Sequence, residues 1–177
     1  MRYTPYRGQK SGSGVRNSLL ILLLGVVLGA LSKWSDNHMA GWLAELTSGI
    51  SLWILLATAV ALYSRTAMRA ALNVLLLLGG MVGAYYLTAM LTNSVWGKSY
   101  LIGWGVAAVL SAIPGYLVWF AKGRSRRAWL LSLGVAAVQI ALVIVLFQRV
   151  RIFDVLMILL TAAVLLADKL GPRRRGR

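Results

Sequence analysis

Few side chains in this sequence can do chemistry, and most of them fall in two short stretches. The first is Lys33-Trp34-Ser35-Asp36-Asn37-His38, followed by Trp42 and Glu45; the second is Gln148-Arg149, followed by Arg151 and Asp154. His38 is the single histidine and cysteine is absent, which excludes a multi-histidine or thiolate metal site and a thiolate nucleophile. A triad built on His38 would need a serine beside it and Asp36 or Glu45 to orient the ring. No nucleophile motif accompanies these residues, and GxxxxGK[ST], HExxH and GxSxG do not occur. No catalytic residue, metal or cofactor is therefore expected.

Arg151 and Asp154 are three apart at a predicted helix start, where they can pair on one face and where a carboxylate favours the helix N-terminus. That pair serves either as structure or as charge facing a substrate cavity. Around the same end gather Trp53, Tyr85, Tyr86, Trp96, Tyr100 and Trp104. Aromatic rings with a few convergent polar groups describe a small-molecule pocket. They equally describe an interfacial belt. If the pocket exists, its expected walls are Trp53, Tyr86, Trp104, Gln139 and Asp154. Gln139 is the one strongly polar group expected at mid-membrane depth, so the ionisable residues of a proton or ion pathway are missing there.

The elements that must position these residues are apolar. Of the 177 residues, 59% are hydrophobic, above the roughly 45–50% of soluble domains. A spanning helix needs about 20 mostly apolar residues. Six segments qualify, about Asn17–Trp34, Gly49–Ser64, Ala70–Leu91, Tyr100–Ala121, Ala128–Phe147 and Ile152–Ala167, the second and sixth being short. The expected fold is an all-α bundle of six transmembrane helices over residues 17–168. A flexible basic tail precedes it at 1–16, with linker composition over Gln9–Gly14, and a second basic tail follows at 169–177.

The charge is lopsided. The net charge is +15, and Asp36, Glu45, Asp154 and Asp168 are the only acids. Arg2, Arg7, Lys10, Arg16, Arg65, Arg69, Lys122, Arg124, Arg126, Arg127, Lys169, Arg173, Arg174, Arg175 and Arg177 fall on one side of the six-pass arrangement. Lys33, Lys98, Arg149 and Arg151 fall on the other. The positive-inside rule then puts both termini in the cytoplasm, in a bacterial-type plasma membrane. Short basic clusters between apolar runs fit anionic lipid headgroups rather than nucleic acid.

Small and polar residues recur at helical spacing in every span and should face inward. In the first these are Ser18, Gly25, Gly29 and Ser32, with Gly25 and Gly29 forming a GxxxG. Gly80 and Gly83 are expected to pack the third span, and Pro114 to kink the fourth.

The size, six spans, cytoplasmic termini and glycine-lined first helix loosely resemble the substrate-binding S-components of energy-coupling-factor vitamin transporters. That resemblance implies a vitamin site at the outer face, where the aromatics stand, and a coupling subunit docked on small residues such as Gly25 and Gly29. The alanine-rich AxxxA form of that docking motif is missing. The layout equally resembles the many small six-span bacterial proteins without an assigned role. The expected function is a small-molecule-binding or transport subunit with an outer site, and the resemblance implies another membrane subunit as its partner. The alternative is a non-catalytic scaffold for other membrane proteins.

Overall fold

The structure is a computed structural model, and it describes residues 12–39, 41, 46–47, 49–148 and 150–170. The expected tails, Trp42, Glu45 and Arg149 lie wholly or largely outside these residues. The regular elements among them are all helical: α1 (Gly12–His38), α2 (Ile50–Tyr63), α3 (Ala67–Leu91), α4 (Lys98–Leu110), α5 (Ala112–Trp119), α6 (Arg126–Phe147) and α7 (Ile152–Leu170). Four helical segments are long and apolar enough to cross a membrane: Gly14–His38, Ala67–Leu91, Lys98–Trp119 and Arg126–Leu146. This makes the chain an α-helical membrane protein. Two further apolar helices, α2 and the Ile152–Ala167 part of α7, are shorter.

α1 corrects two expectations. It begins at Gly12, inside the expected flexible linker, and it continues past Trp34 to His38. Gly14 is buried because the Arg69 guanidinium lies where its side chain would be. At the other end no glycine or proline interrupts residues 33–38, so the backbone ladder runs on and places Asp36 and His38 on a helix rather than a loop.

α1 packs on α3 through backbone contact. A Cβ on Gly25 would overlap the Leu77 carbonyl, and one on Gly29 the Met81 carbonyl. From the opposite side, a Cβ on Gly80 would stand 3.0 Å from the Leu22 carbonyl oxygen and 3.3 Å from the Val26 nitrogen. Three glycines thus form one reciprocal seam, the arrangement that lets apolar helices gain dispersion contact inside lipid. Gly83 is corrected: it is exposed, and nothing lies within 4 Å of a Cβ built there. Leu77 and Met81 centre the seam and Gly80 lies at its edge; Gly83 stands about 60° further around the helix on the far side of Gly80, and so leaves the seam.

The fourth span is interrupted at Ser111, where α4 and α5 meet. Pro114 offers no N–H to the Leu110 carbonyl, so one rung of the ladder is missing. The rungs on either side survive, Ser111 N–H to the Ala107 carbonyl at 2.9 Å and Gly115 N–H to the Ser111 carbonyl at 3.0 Å. Gly115 allows α5 to lie against Val74 of α3, whose side chain would stand 2.9 Å from a Cβ there.

α2 is the innermost helix. It has 14 residues, all buried or half-buried except Tyr63, and it contacts α3, α5, α6 and α7. At 1.5 Å per residue it rises about 21 Å, short of a hydrocarbon core of about 30 Å. Polar side chains meet the backbone at its end. At the basic end the Ser64 carbonyl accepts from Lys122 Nζ at 2.7 Å and Trp119 Nε1 at 3.0 Å. Asn73 Nδ2 donates to Ser64 Oγ at 3.0 Å, and Ser18 Oγ donates to Asn73 Oδ1 at 2.8 Å. Buried Lys169 donates to Ser132 Oγ and to the Ala121 and Leu165 carbonyls at 2.7–2.9 Å. An unpaired polar group would be costly at this depth, which explains why long cationic side chains fold back into the protein.

Candidate functional site: an aromatic pocket beside an apolar groove

The end of the bundle opposite that basic network carries a pocket of about 450 Å³. Its walls are Ile50 and Trp53 of α2, Val82, Tyr85 and Tyr86 of α3, Val95, Trp96 and Gly97 of the turn, and Tyr100 and Trp104 of α4. The Trp53 and Trp104 rings stand 6.2 Å apart at 54°, and Tyr85 meets Tyr86 edge-on at 5.3 Å. Tyr86 is buried at 7% exposure, whereas Tyr100 stands at the mouth, 71% exposed.

Residues outside the wall hold the rings in place. Tyr85 donates its hydroxyl to Asp36 Oδ2 at 2.6 Å, and Trp53 Nε1 donates to the Thr47 carbonyl at 3.3 Å. Ser32 Oγ donates to the same carbonyl at 2.9 Å. Lys33 is buried, lies 5.3 Å from the Tyr85 ring centroid and donates to the Val95 carbonyl at 3.3 Å. A cation on an aromatic face is attracted by the ring quadrupole. Lys33 thereby ties α1 to the turn that forms the pocket's lip.

Trp53, Tyr86 and Trp104 therefore share one cavity. Gln139 and Asp154 do not line it, which corrects the five-residue wall expected from sequence. They belong to a separate buried cluster at the start of α2. Ser51 Oγ donates to Asp154 Oδ1 at 2.6 Å, and Gln139 Nε2 donates to the Ser51 carbonyl at 3.3 Å. Arg151 reaches Asp154 Oδ2 with Nε at 3.1 Å and with its backbone N–H at 3.2 Å. The reason is helical phase. Gly134, Val135, Val138 and Leu142 of α6 face the second cavity described next, while Gln139 points to α2.

That second cavity, about 660 Å³, lies between the interrupted fourth span and α6. It shares Ile50, Trp53, Val82 and Trp104 with the aromatic pocket. Along its length it is lined mainly by aliphatic side chains, with Thr58 of α2 and with Ser111, Pro114 and Gly115 of the fourth span. Several of its lining residues, Leu110, Leu117, Leu130 and Val138 among them, are also exposed on the outside of the bundle, so the groove opens sideways. Pro114 and Gly134 line it from its two sides.

Asp36 and His38 do not act together. Asp36 faces Tyr85, while the His38 ring stacks on Trp34 at 5.0 Å and its Nδ1 lies 2.9 Å from the Trp34 carbonyl oxygen. Among the described residues no group of three or more His, Asp or Glu side chains is placed to hold a metal.

No curated protein and no solved structure matches the chain. The aromatic pocket lies wholly within the part of the sequence that does find a match, whereas α6 and α7 lie beyond it. That match covers residues 9–114, and by it the chain belongs to a family of unknown function, DUF6518.

Proposed function

We propose that this protein is a non-catalytic, multi-pass subunit of a bacterial-type plasma membrane that binds a small uncharged molecule in the aromatic pocket, at the outer face. One observation carries the reading. A belt needs rings that point out toward headgroups, but here Trp53 and Trp104 close on each other over a buried Tyr86, and Tyr85 is fixed by Asp36. The pocket wall contains no charged side chain, so a neutral molecule would leave no charge unpaired. Its discrimination would come from ring stacking and from the tyrosine and indole polar atoms.

The outward orientation rests on the concentration of basic residues at the other end, which suits a cytoplasmic surface with anionic headgroups. An alkaline phosphatase fused after Lys98 should be active and one fused after Lys122 inactive; the reverse pattern would invert the arrangement. Binding is tested by ligand-dependent thermal stabilisation of the wild type and of Trp104→Ala. A transport role would add a coupling subunit, as the resemblance to S-components implies. Gly25 and Gly29 are taken up by α3, so such a partner would have to dock on another face.

The scaffold reading has one observation on its side. Gly79 and Gly83, four apart on α3, have nothing within 4 Å of a built Cβ, a spacing that admits a close neighbouring helix. Recovery of a stable membrane complex that Gly83→Leu disrupts, with no small-molecule stabilisation, would favour that reading.

A further inference from the structure

We infer that the molecule bound here is a neutral long-chain amphiphile that enters sideways from the bilayer. Its head would lie in the aromatic pocket and its hydrocarbon chain in the groove between the fourth span and α6. This rests on the pocket reading above and specifies the class of ligand.

Three features lead to it. First, the two cavities adjoin. Trp53 and Trp104 form the waist between the aromatic pocket and the groove, and Ile50 and Val82 line both. A compact water-soluble molecule would use the first volume and leave the second, the larger, unused. Second, neither cavity is lined by any Asp, Glu, Lys or Arg. The nearby charges stand behind the pocket wall and are engaged there, Lys33 by the Val95 carbonyl and Asp36 by the Tyr85 hydroxyl. A phosphate headgroup would be desolvated without a counter-charge, which is costly, whereas hydroxyls or an ester would be served by tyrosine and indole groups. Third, the groove opens sideways through exposed Leu110, Leu117, Leu130 and Val138, at the depth where lipid chains lie. Moving a chain from bilayer to groove changes its hydration little. Selectivity must then come from the head in the pocket and from close packing of the chain.

Gly134 provides the test. It lines the groove, is exposed, and has nothing within 4 Å of a built Cβ. Gly134→Leu should therefore fill the groove without displacing backbone, and removing a mid-helix glycine does not weaken the helix. The protein is reconstituted in phosphatidylcholine vesicles with a trace of one of two probes. One is a monoacylglycerol with a photoactivatable diazirine on its chain; the other is a phosphatidylglycerol with the same chain. Labelled peptides are mapped by mass spectrometry. The neutral probe should label residues 107–118 and 130–142 several-fold more than the anionic probe. Gly134→Leu should remove that preference while melting as the wild type does. Leu20→Phe, on the exposed side of α1, should not change it.

Equal labelling by both probes would show an ordinary lipid seam and overturn the inference. So would cross-linking to a second copy of the chain in place of probe. The two readings separate cleanly. If water-soluble neutral compounds stabilise both the wild type and Gly134→Leu while the groove shows no probe preference, the pocket stands and the amphiphile falls. If nothing stabilises the wild type and no preference appears, both fall.

Discussion

Gly29→Leu should be the most damaging single substitution on α1. Its Cβ would coincide with the Met81 carbonyl of α3, and a carbonyl inside a helix cannot rotate away. The two helices would have to separate by the width of a side chain, breaking the seam that Gly25, Gly29 and Gly80 form together. Overpacking of this kind costs about 3 kcal/mol, at the upper end of its usual range, because the obstruction is backbone. The loss reaches the pocket as well, since Lys33 and Asp36 of α1 hold the Val95 turn and Tyr85. Membrane yield and detergent melting temperature should both fall sharply, while Gly83→Leu, with open space around it, should stay within about 0.5 kcal/mol of the wild type. Equal melting of Gly29→Leu and Gly83→Leu would show that the α1–α3 contact is not made in this way.

The second large effect lies in the buried cluster. Asp154→Ala removes the acceptor of Ser51 and the carboxylate that Arg151 holds at 3.1 Å. The side chains of Arg151 and Asp154 are 14% and 3% exposed, so the guanidinium loses this carboxylate where water is scarce. Breaking one side of a buried pair costs about 3–5 kcal/mol. Asp154→Asn should cost less, because an amide can still accept from Ser51. Replacing both partners, Arg151→Met with Asp154→Leu, should recover most of the loss, since no charge then remains buried. Denaturant or thermal unfolding of the three variants in one detergent checks the order. If the double variant is as unstable as Asp154→Ala, the cluster does more than neutralise charge.

Helix positions and the helical membrane class were legible because apolar runs of spanning length have few other uses. Pro114 marks the fourth span as the one with a missing N–H, and the helix is interrupted three residues before it, at Ser111. The faces of α1 and α3 were legible only in part. Gly80 and Gly83 look alike in sequence, and only the crossing point on α1 decides which one meets a neighbour. Likewise Gln139 was recognisable as buried, but its partner was not, because Ser51 lies 88 residues away. Lys33 appeared to begin a loop because charge usually marks a membrane boundary. Its ammonium is instead accommodated by the Val95 carbonyl and the Tyr85 ring, a long-range arrangement with no local signature. The groove escaped for the same reason: it is a gap between two elements, and sequence patterns report what a segment buries rather than where two segments fail to meet.

Ligand-dependent thermal stabilisation of the purified protein tests the central claim most directly. The compounds are vitamins, amino acids, monoacylglycerols and charged lipid headgroup analogues, each measured on the wild type and on Trp104→Ala. Trp104 is the substitution to choose because it removes a wall shared by both cavities without stranding a charge. A bound compound at about 100 times its Kd stabilises by about 2.7 kcal/mol, which is a shift of several degrees for a protein of this size. The pocket predicts such a shift with one or more neutral compounds, little or none with charged ones, and its loss in Trp104→Ala. Stabilisation of wild type and variant alike, or by no compound at all with cellular function unchanged in Trp104→Ala, would contradict it and leave the aromatic rings as an interfacial belt.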